Sequence, residues 1–180
     1  MRFKVQSMSR GAAQAITSWQ YEKPYDFYNR KATQKTIDWL LNGSYYAVYD
    51  ETGELVGYYC FGKGAQVPGG NPAGAYAATD AIDIGLGMKP ELTGTGMGLS
   101  FTQAGVEYAV KHFSPSVIRL SVTTFNKRAI KVYERAGFYT DKVFMSITPD
   151  GEKEFQSMLK IVASRGGHIA ENKRLNSRPE

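Results

Sequence analysis

The stretch Thr93-Gly94-Thr95-Gly96-Met97-Gly98 organises the predicted fold, because it joins a strand-like run to a helical pattern through alternating glycines. The strand-like run is Ala81 to Met88, and the helical pattern, Gly98 to Phe113, is the clearest in the sequence. At such a turn several backbone N–H groups converge, and the helix dipole adds positive potential. The stretch therefore predicts an anion site, most often a phosphate site.

Patterns on either side of this turn predict one mixed α/β domain with the element order β α α β β β α β α β β. The helix starts carry capping residues, among them Thr33 and Asn126. The domain is expected to span residues 1–162, and the polar residues 163–180 are expected to form a C-terminal tail. The predicted strands are 3–8, 44–50, 54–62, 81–88, 117–125, 138–147 and 153–161, and the predicted helices are 10–19, 33–41, 98–113 and 126–136.

Composition limits the class of protein. The 180 residues fit one domain, and no long apolar run predicts a membrane span or a signal peptide. The single cysteine, Cys60, fits a reducing, cytoplasmic setting, and two distant histidines make a metal site improbable. The net charge of +5 comes from scattered basic residues and suits an anionic cofactor or substrate as well as nucleic acid, so composition alone does not choose between these partners.

Three kinds of phosphate site compete for the glycine turn. A dinucleotide fingerprint needs G-x-G-x-x-G after the first strand, but here the spacing differs and the turn follows the fourth predicted strand. A P-loop needs Lys-Ser or Lys-Thr after its glycines, and neither follows here. The third pattern, [Arg/Gln]-x-x-Gly-x-[Gly/Ala], receives the pyrophosphate of coenzyme A. The turn fits this pattern, with Thr93 in the first position.

A second motif lies about 30 residues further along the chain, where Asn126, Ala129, Tyr133, Gly137 and Phe138 match Asn-x-x-[Ala/Ser]-x-x-x-Tyr-x-x-x-Gly-Phe. With both motifs, the sequence resembles the GNAT superfamily of acetyl-CoA-dependent N-acyltransferases over roughly residues 3–162. The resemblance implies a mostly antiparallel central sheet of about seven strands, flanked by about four helices, with a splayed pair of central strands. It also implies acetyl-CoA as the cosubstrate.

The same resemblance implies where the cofactor binds. The turn would hold the pyrophosphate, and the end of the preceding strand would bond the pantetheine arm and polarise the thioester carbonyl. Thr93 departs from the usual Arg or Gln, so we expect either somewhat weaker cofactor binding or compensation from another residue. The implied cofactor-binding residues are Gly87, Met88, Thr93, Gly94, Thr95, Gly96, Met97, Gly98 and Asn126.

Catalytic candidates follow from the chemistry of acyl transfer. Tyr133 is the expected general acid, since a phenol is a suitable proton donor to a departing thiolate; the alternative is a half-buried core tyrosine. A carboxylate is expected to take the proton from the amine. Asp83, on the strand that leads to the cofactor site, is the first candidate, with Asp80 and Glu22 as alternatives.

The aromatic stretch around Pro24 is expected to line the acceptor pocket, together with Tyr139 of the last hairpin. Aromatic faces suit a cationic or apolar acceptor; the alternative is a local aromatic core. The acceptor, a small-molecule or peptide amine, stays open, as does the choice between monomer and homodimer. A non-catalytic acyl-CoA-binding module of the same fold is the rival function. The candidate pocket residues are Trp19, Tyr21, Tyr25, Phe27 and Tyr28.

Overall fold

A computed structural model of the chain describes residues 2–162, so the predicted tail, residues 163–180, lies outside the described residues. The predicted order of helices and strands is confirmed within these residues. The strands are β1 (Lys4–Ser7), β2 (Tyr45–Tyr49), β3 (Leu55–Phe61), β4 (Ala81–Met88), β5 (Val117–Thr123), β6 (Tyr139–Thr148) and β7 (Gly151–Ile161). The α-helices are α1 (Arg10–Thr17), α2 (Gln34–Leu40), α3 (Gly98–Phe113) and α4 (Lys127–Arg135).

The strands form one sheet in the order β1-β2-β3-β4-β5-β7-β6. Every neighbouring pair is antiparallel except β4 and β5, which run parallel. These two strands pair only through Ala81–Asp83 and Val117–Arg119, and their later residues diverge. The predicted splay is therefore confirmed, and it opens a gap in the middle of the sheet.

Helices cover both faces of the sheet. On one face α3 and α4 pack over the main core, which includes Tyr59, Ile84 and Phe101. On the other face α1 and α2 pack over a second core that includes Tyr45 and Cys60. Because side chains alternate along a strand, Ile84, Leu86 and Met88 point towards α3, whereas Asp83, Gly85 and Gly87 belong to the other face. The gap between β4 and β5 can thus be reached from both faces.

Local signals explain most element boundaries. The hydroxyl of Thr33 accepts a hydrogen bond from the Thr36 N–H, and the Asn126 side chain accepts one from the Ala129 N–H, so both predicted caps are confirmed. The predicted strand over residues 117–125 was too long. It ends at Thr123, whose carbonyl accepts a hydrogen bond from the Asn126 N–H in the turn before α4.

Two structural features are absent from the described chain. None of the helices in residues 2–162 combines the length and the apolar character that a membrane span requires. Nor do those residues contain a group of three or more His, Cys, Asp or Glu side chains placed to hold a metal ion.

Candidate active site

A cavity of about 750 Å³ lies in the gap between β4 and β5. The glycine turn and residues along α4 line it on one side of the sheet. Aromatic side chains and Arg30 line it on the face of α1 and α2. Two surfaces of different chemistry therefore meet where the strands part.

The backbone of the glycine turn is shaped for an anion. Gly94 and Gly96 have φ angles of 81° and 90°, a left-handed conformation that favours glycine. Gly98 begins α3, and no side chain caps this helix at Met97. The first N–H groups of α3 therefore lack the usual side-chain partner and are available to a bound anion.

Arg128 places a positive charge beside the glycine turn, where Thr93 has none. The Thr93 hydroxyl donates to the Pro90 carbonyl at 2.7 Å, so its proton is already used within the turn. A guanidinium nitrogen of Arg128, in the first turn of α4, lies 3.8 Å from the point that a Cβ on Gly94 would occupy. The same guanidinium stacks over the Tyr25 ring at 4.3 Å. Sequence reasoning missed Arg128, although it occupies a variable position of the second motif.

The edge of β4 that faces the gap offers backbone hydrogen-bonding groups. The Lys89 N–H donates to the Val56 carbonyl of β3 at 2.8 Å. In an antiparallel pair these bonds alternate, so the amide groups of Leu86 and Met88 turn away from β3 and towards the gap. The Tyr21 hydroxyl donates to the Met88 carbonyl at 2.8 Å and holds this strand end in place.

Tyr133 lines the cavity from α4. In residues 2–162 no group hydrogen-bonds to its hydroxyl, which reaches the cavity instead. Burial, with smaller contributions from Tyr28 and Tyr58, raises the pKa of the Tyr133 phenol well above the ordinary tyrosine value. The phenol therefore keeps its proton at neutral pH and is available as a donor.

Asn126 and Tyr28 form a fixed hydrogen-bonded group beside the cavity. The Asn126 amide nitrogen donates to the Tyr28 hydroxyl at 3.2 Å while its oxygen caps α4. The Tyr28 hydroxyl also shares a hydrogen bond of 2.7 Å with the Thr123 hydroxyl. Burial raises the pKa of Tyr28 as well. This group joins the aromatic stretch to the end of β5.

The structure contradicts the predicted role of Asp83 as the base. Its carboxylate is 4% exposed and receives two hydrogen bonds from the Arg119 guanidinium, at 2.6 and 2.9 Å. Gln66 donates a third at 2.7 Å. Asp83 and Arg119 therefore form a buried structural ion pair. Asp83 does not line the cavity. The alternatives, Asp80 and Glu22, are exposed and do not line it either.

Most of the predicted aromatic residues do line the cavity, namely Tyr21, Tyr25, Phe27 and Tyr28. Trp19 does not. It is 8% exposed and belongs to the second core, where its ring stacks on Tyr58 at 6.4 Å. Tyr139 is 49% exposed on β6 and also lies outside the cavity. Trp19 therefore packs against the pocket residue Tyr58 and does not contact the cavity itself.

Sequence reasoning also missed the pocket around Arg30, which Trp39, Tyr45 and Tyr58 surround. Arg30 donates to the Tyr58 hydroxyl at 2.9 Å. The Tyr58 ring lies over Gly87, and a side chain at that position would collide with it. Gly87 thus has a steric role that its sequence context did not reveal. Tyr58 was visible only as part of an apolar strand.

Comparisons with known proteins agree with this fold. A family model described as "Acetyltransferase (GNAT) family" matches residues 13–138. A GNAT-family acetyltransferase from Bacillus anthracis superposes with a TM-score of 0.68 at 16% identity, covering 89% of this chain and 95% of that one. A chimera of the Vibrio cholerae spermidine N-acetyltransferase SpeG with hSSAT gives a TM-score of 0.68 at 16% identity, with 89% and 96% covered.

The similarity to these structures concerns the fold alone, whereas the family model rests on the sequence. No curated protein sequence matches the chain. The family model covers more than half of the chain, and residues 13–138 include both motifs and the whole of the splayed gap. The chain therefore belongs to the acetyltransferase (GNAT) family.

Proposed function

We propose that the protein is an N-acetyltransferase that transfers the acetyl group of acetyl-CoA to a primary amine by direct attack. The observation that carries the proposal is the gap between β4 and β5. A glycine turn suited to an anion lies at one end, strand amides that do not pair with β3 lie along it, and a tyrosine without a hydrogen-bonding partner in residues 2–162 faces it.

The cofactor would lie on the α3 and α4 side of the gap. Its pyrophosphate would accept hydrogen bonds from N–H groups of residues 93–98 and a charge-assisted contact from Arg128. The pantetheine arm would add to the free edge of β4 as a short strand, beside Gly87 and Met88, with Asn126 close by. The thioester would then lie where the strands diverge.

The chemistry at the thioester needs two proton steps. The amine nitrogen attacks the acetyl carbon, and a Met88 or Leu86 amide N–H would stabilise the negative charge that develops on the carbonyl oxygen. As the carbon–sulfur bond breaks, Tyr133 would donate its proton to the departing thiolate. The nitrogen loses its own proton to solvent, and the tyrosine is reprotonated in turn.

The proposed route for the amine proton follows from the charges in the cavity. No Asp or Glu side chain of residues 2–162 lines it. The acceptor would therefore enter as the free base, or pass its proton to water, instead of using a carboxylate. Because a protonated amine cannot attack, the rate at low acceptor concentration would follow the fraction of neutral amine.

The test of the proposed function is thiol release from acetyl-CoA in the presence of single amines, with the acetylated product identified by mass spectrometry. The panel includes spermidine, because the names of structurally similar proteins include spermidine N-acetyltransferases. We expect release that depends on one class of amine. CoA binding by calorimetry without release for any amine would indicate a binding module and contradict the proposal.

Replacing Arg128 with Ala is expected to raise the KM for acetyl-CoA about tenfold, because a charge-assisted hydrogen bond to the cofactor is lost. Steady-state kinetics at varied acetyl-CoA would measure it, and kcat should change little. The Lys127→Ala variant is the matched control, since Lys127 is also exposed on α4 but lies outside the cavity. Equal KM values for the two variants would contradict the assignment of Arg128.

A further inference from the structure

Arg30 is a half-buried arginine enclosed by aromatic rings. Its guanidinium lies 4.9 Å from the centre of the Trp39 ring, 5.3 Å from Tyr58 and 6.0 Å from Tyr45. It takes no part in the ion pairs of residues 2–162, which join other residues. Such a cation has lost much of its hydration and has gained no anion in return.

The guanidinium of Arg30 retains unused hydrogen-bonding capacity. It has five N–H donors, and one of them is directed to the Tyr58 hydroxyl at 2.9 Å. The planar fork of an arginine matches the two oxygens of a carboxylate. Arg30 lines the cavity, so an anion that enters the gap could complete this arrangement.

The two sides of the cavity divide the positive charge. Arg128 lies against the glycine turn, where the pyrophosphate is proposed to bind. Arg30 lies with Tyr58 and Tyr45 on the face of α1 and α2. On this side it is available to bind the acceptor and not the pyrophosphate. A third arginine, Arg135 of α4, also lines the cavity, and no carboxylate of residues 2–162 lines it to balance these three charges. The acceptor side is therefore electropositive.

This charge distribution selects between classes of amine. A polyamine would bring a second ammonium group close to Arg30, and like charges repel strongly where water is excluded. An acceptor with a carboxylate would neutralise Arg30 and place its amine at a fixed distance from the anchored end. The cavity of about 750 Å³ must also hold the pantetheine arm, which favours a small molecule over a folded protein.

We propose that the acceptor is a small amino carboxylate, such as an amino acid, whose carboxylate binds Arg30. The proposal rests on the proposed acetyltransferase function and adds the substrate class to it. The aromatic walls formed by Tyr21, Tyr28 and Tyr58 would enclose the rest of the acceptor. The amine would then point from Arg30 into the gap, towards the thioester.

The experiment compares acceptors that differ in their charge. Thiol release is measured with each of the common L-amino acids, and then with the carboxamide and the decarboxylated amine of the best one, alongside spermidine. At several pH values, kcat/KM is calculated from the concentration of the neutral amine and compared between the acceptors. The carboxylate acceptor is expected to exceed its carboxamide by about 10- to 100-fold, as for loss of a hydrogen-bonded charge.

The variants then test Arg30 itself. Arg30→Gln should remove the preference for the carboxylate over the carboxamide and leave the KM for acetyl-CoA unchanged, whereas Arg30→Lys should keep part of the preference. Lys31→Gln is the control, because Lys31 is the exposed neighbour outside the cavity. If Arg30→Gln does not fold, the acceptor series on the unaltered protein and the Arg30→Lys variant still test the proposal.

Each outcome supports or overturns the proposal. Equal rates with acid and carboxamide, the highest rate with spermidine, or an unchanged preference in Arg30→Gln would overturn it while the acetyltransferase function stands. Absence of thiol release with every amine, despite CoA binding, would overturn both, and it is distinguished by the absence of any turnover.

Discussion

Replacing Tyr133 with Phe is expected to lower kcat by about 100-fold, the lower end of the range for loss of a general acid. The phenol lines the gap without a hydrogen-bonding partner among the described residues, and burial raises its pKa, so it holds a proton for the thiolate. Phe keeps the ring, which packs edge-on against Phe138 at a centroid distance of 6.2 Å. Steady-state kinetics would give kcat, and calorimetry would give the dissociation constant for CoA.

The control for this variant is Tyr108→Phe, which removes a hydroxyl from α3 outside the cavity. Both variants should fold and bind CoA as the unaltered protein does, and only Tyr133→Phe should lose turnover. Because the pKa of Tyr133 is raised, deprotonation of this phenol should not reduce kcat below about pH 10, the ordinary tyrosine value. An unchanged kcat in Tyr133→Phe would exclude the proposed acid.

Replacing Asp83 with Asn is expected to lower the free energy of unfolding by about 3–5 kcal/mol, the cost of breaking a buried ion pair on one side. The partner, Arg119, is 2% exposed, and the change would leave its guanidinium buried without a counter-charge. The Arg119 guanidinium also stacks on Tyr76 at 4.8 Å, so it cannot readily turn to solvent. Urea denaturation followed by circular dichroism would measure the loss.

Two further variants separate structure from catalysis at this position. Asp80→Asn removes an exposed carboxylate nearby and should leave stability almost unchanged. The double variant Asp83→Leu/Arg119→Met replaces the pair with apolar side chains and should recover most of the stability. Unchanged stability in Asp83→Asn, together with a large loss of kcat, would restore Asp83 as the base.

The fold could be predicted because its signals are local. Caps at Thr33 and Asn126, the glycine turn and the alternating strands each depend on a few consecutive residues, and they gave the observed order of helices and strands. The parallel, splayed pairing of β4 and β5 is not local. The prediction of the splay came from the family resemblance and is confirmed in the structure, whereas the parallel direction of this pair was seen only there.

The apolar pattern of α3 does not identify all of the residues that this helix buries. Leu99, Val106, Val110 and Phe113 are apolar residues spaced along α3, yet Phe113 is 41% exposed. The buried face instead includes Gly105 and Ala109. A Cβ on Gly105 would lie 3.0 Å from atoms of Ile84 and Tyr59, so the small residue lets the helix approach the sheet closely.

Side-chain partners from distant elements explain the missed residues of the site. Asp83 and Arg119 lie 36 positions apart, and nothing in either segment reveals that they pair. Arg30 and Tyr58 meet only because the chain after the aromatic stretch crosses the face of β3. The motifs led to the proposed cofactor site, while the position of Arg30 on the proposed acceptor side became visible only in three dimensions.

A crystal structure of the protein with CoA bound tests the central claim most directly. We expect the pyrophosphate to accept hydrogen bonds from the turn at residues 93–98 and to contact Arg128. The arm should run along the free edge of β4, with the sulfur in the gap within hydrogen-bonding distance of the Tyr133 hydroxyl. A complex with the pyrophosphate away from the turn, or with the sulfur outside the gap, would contradict the account.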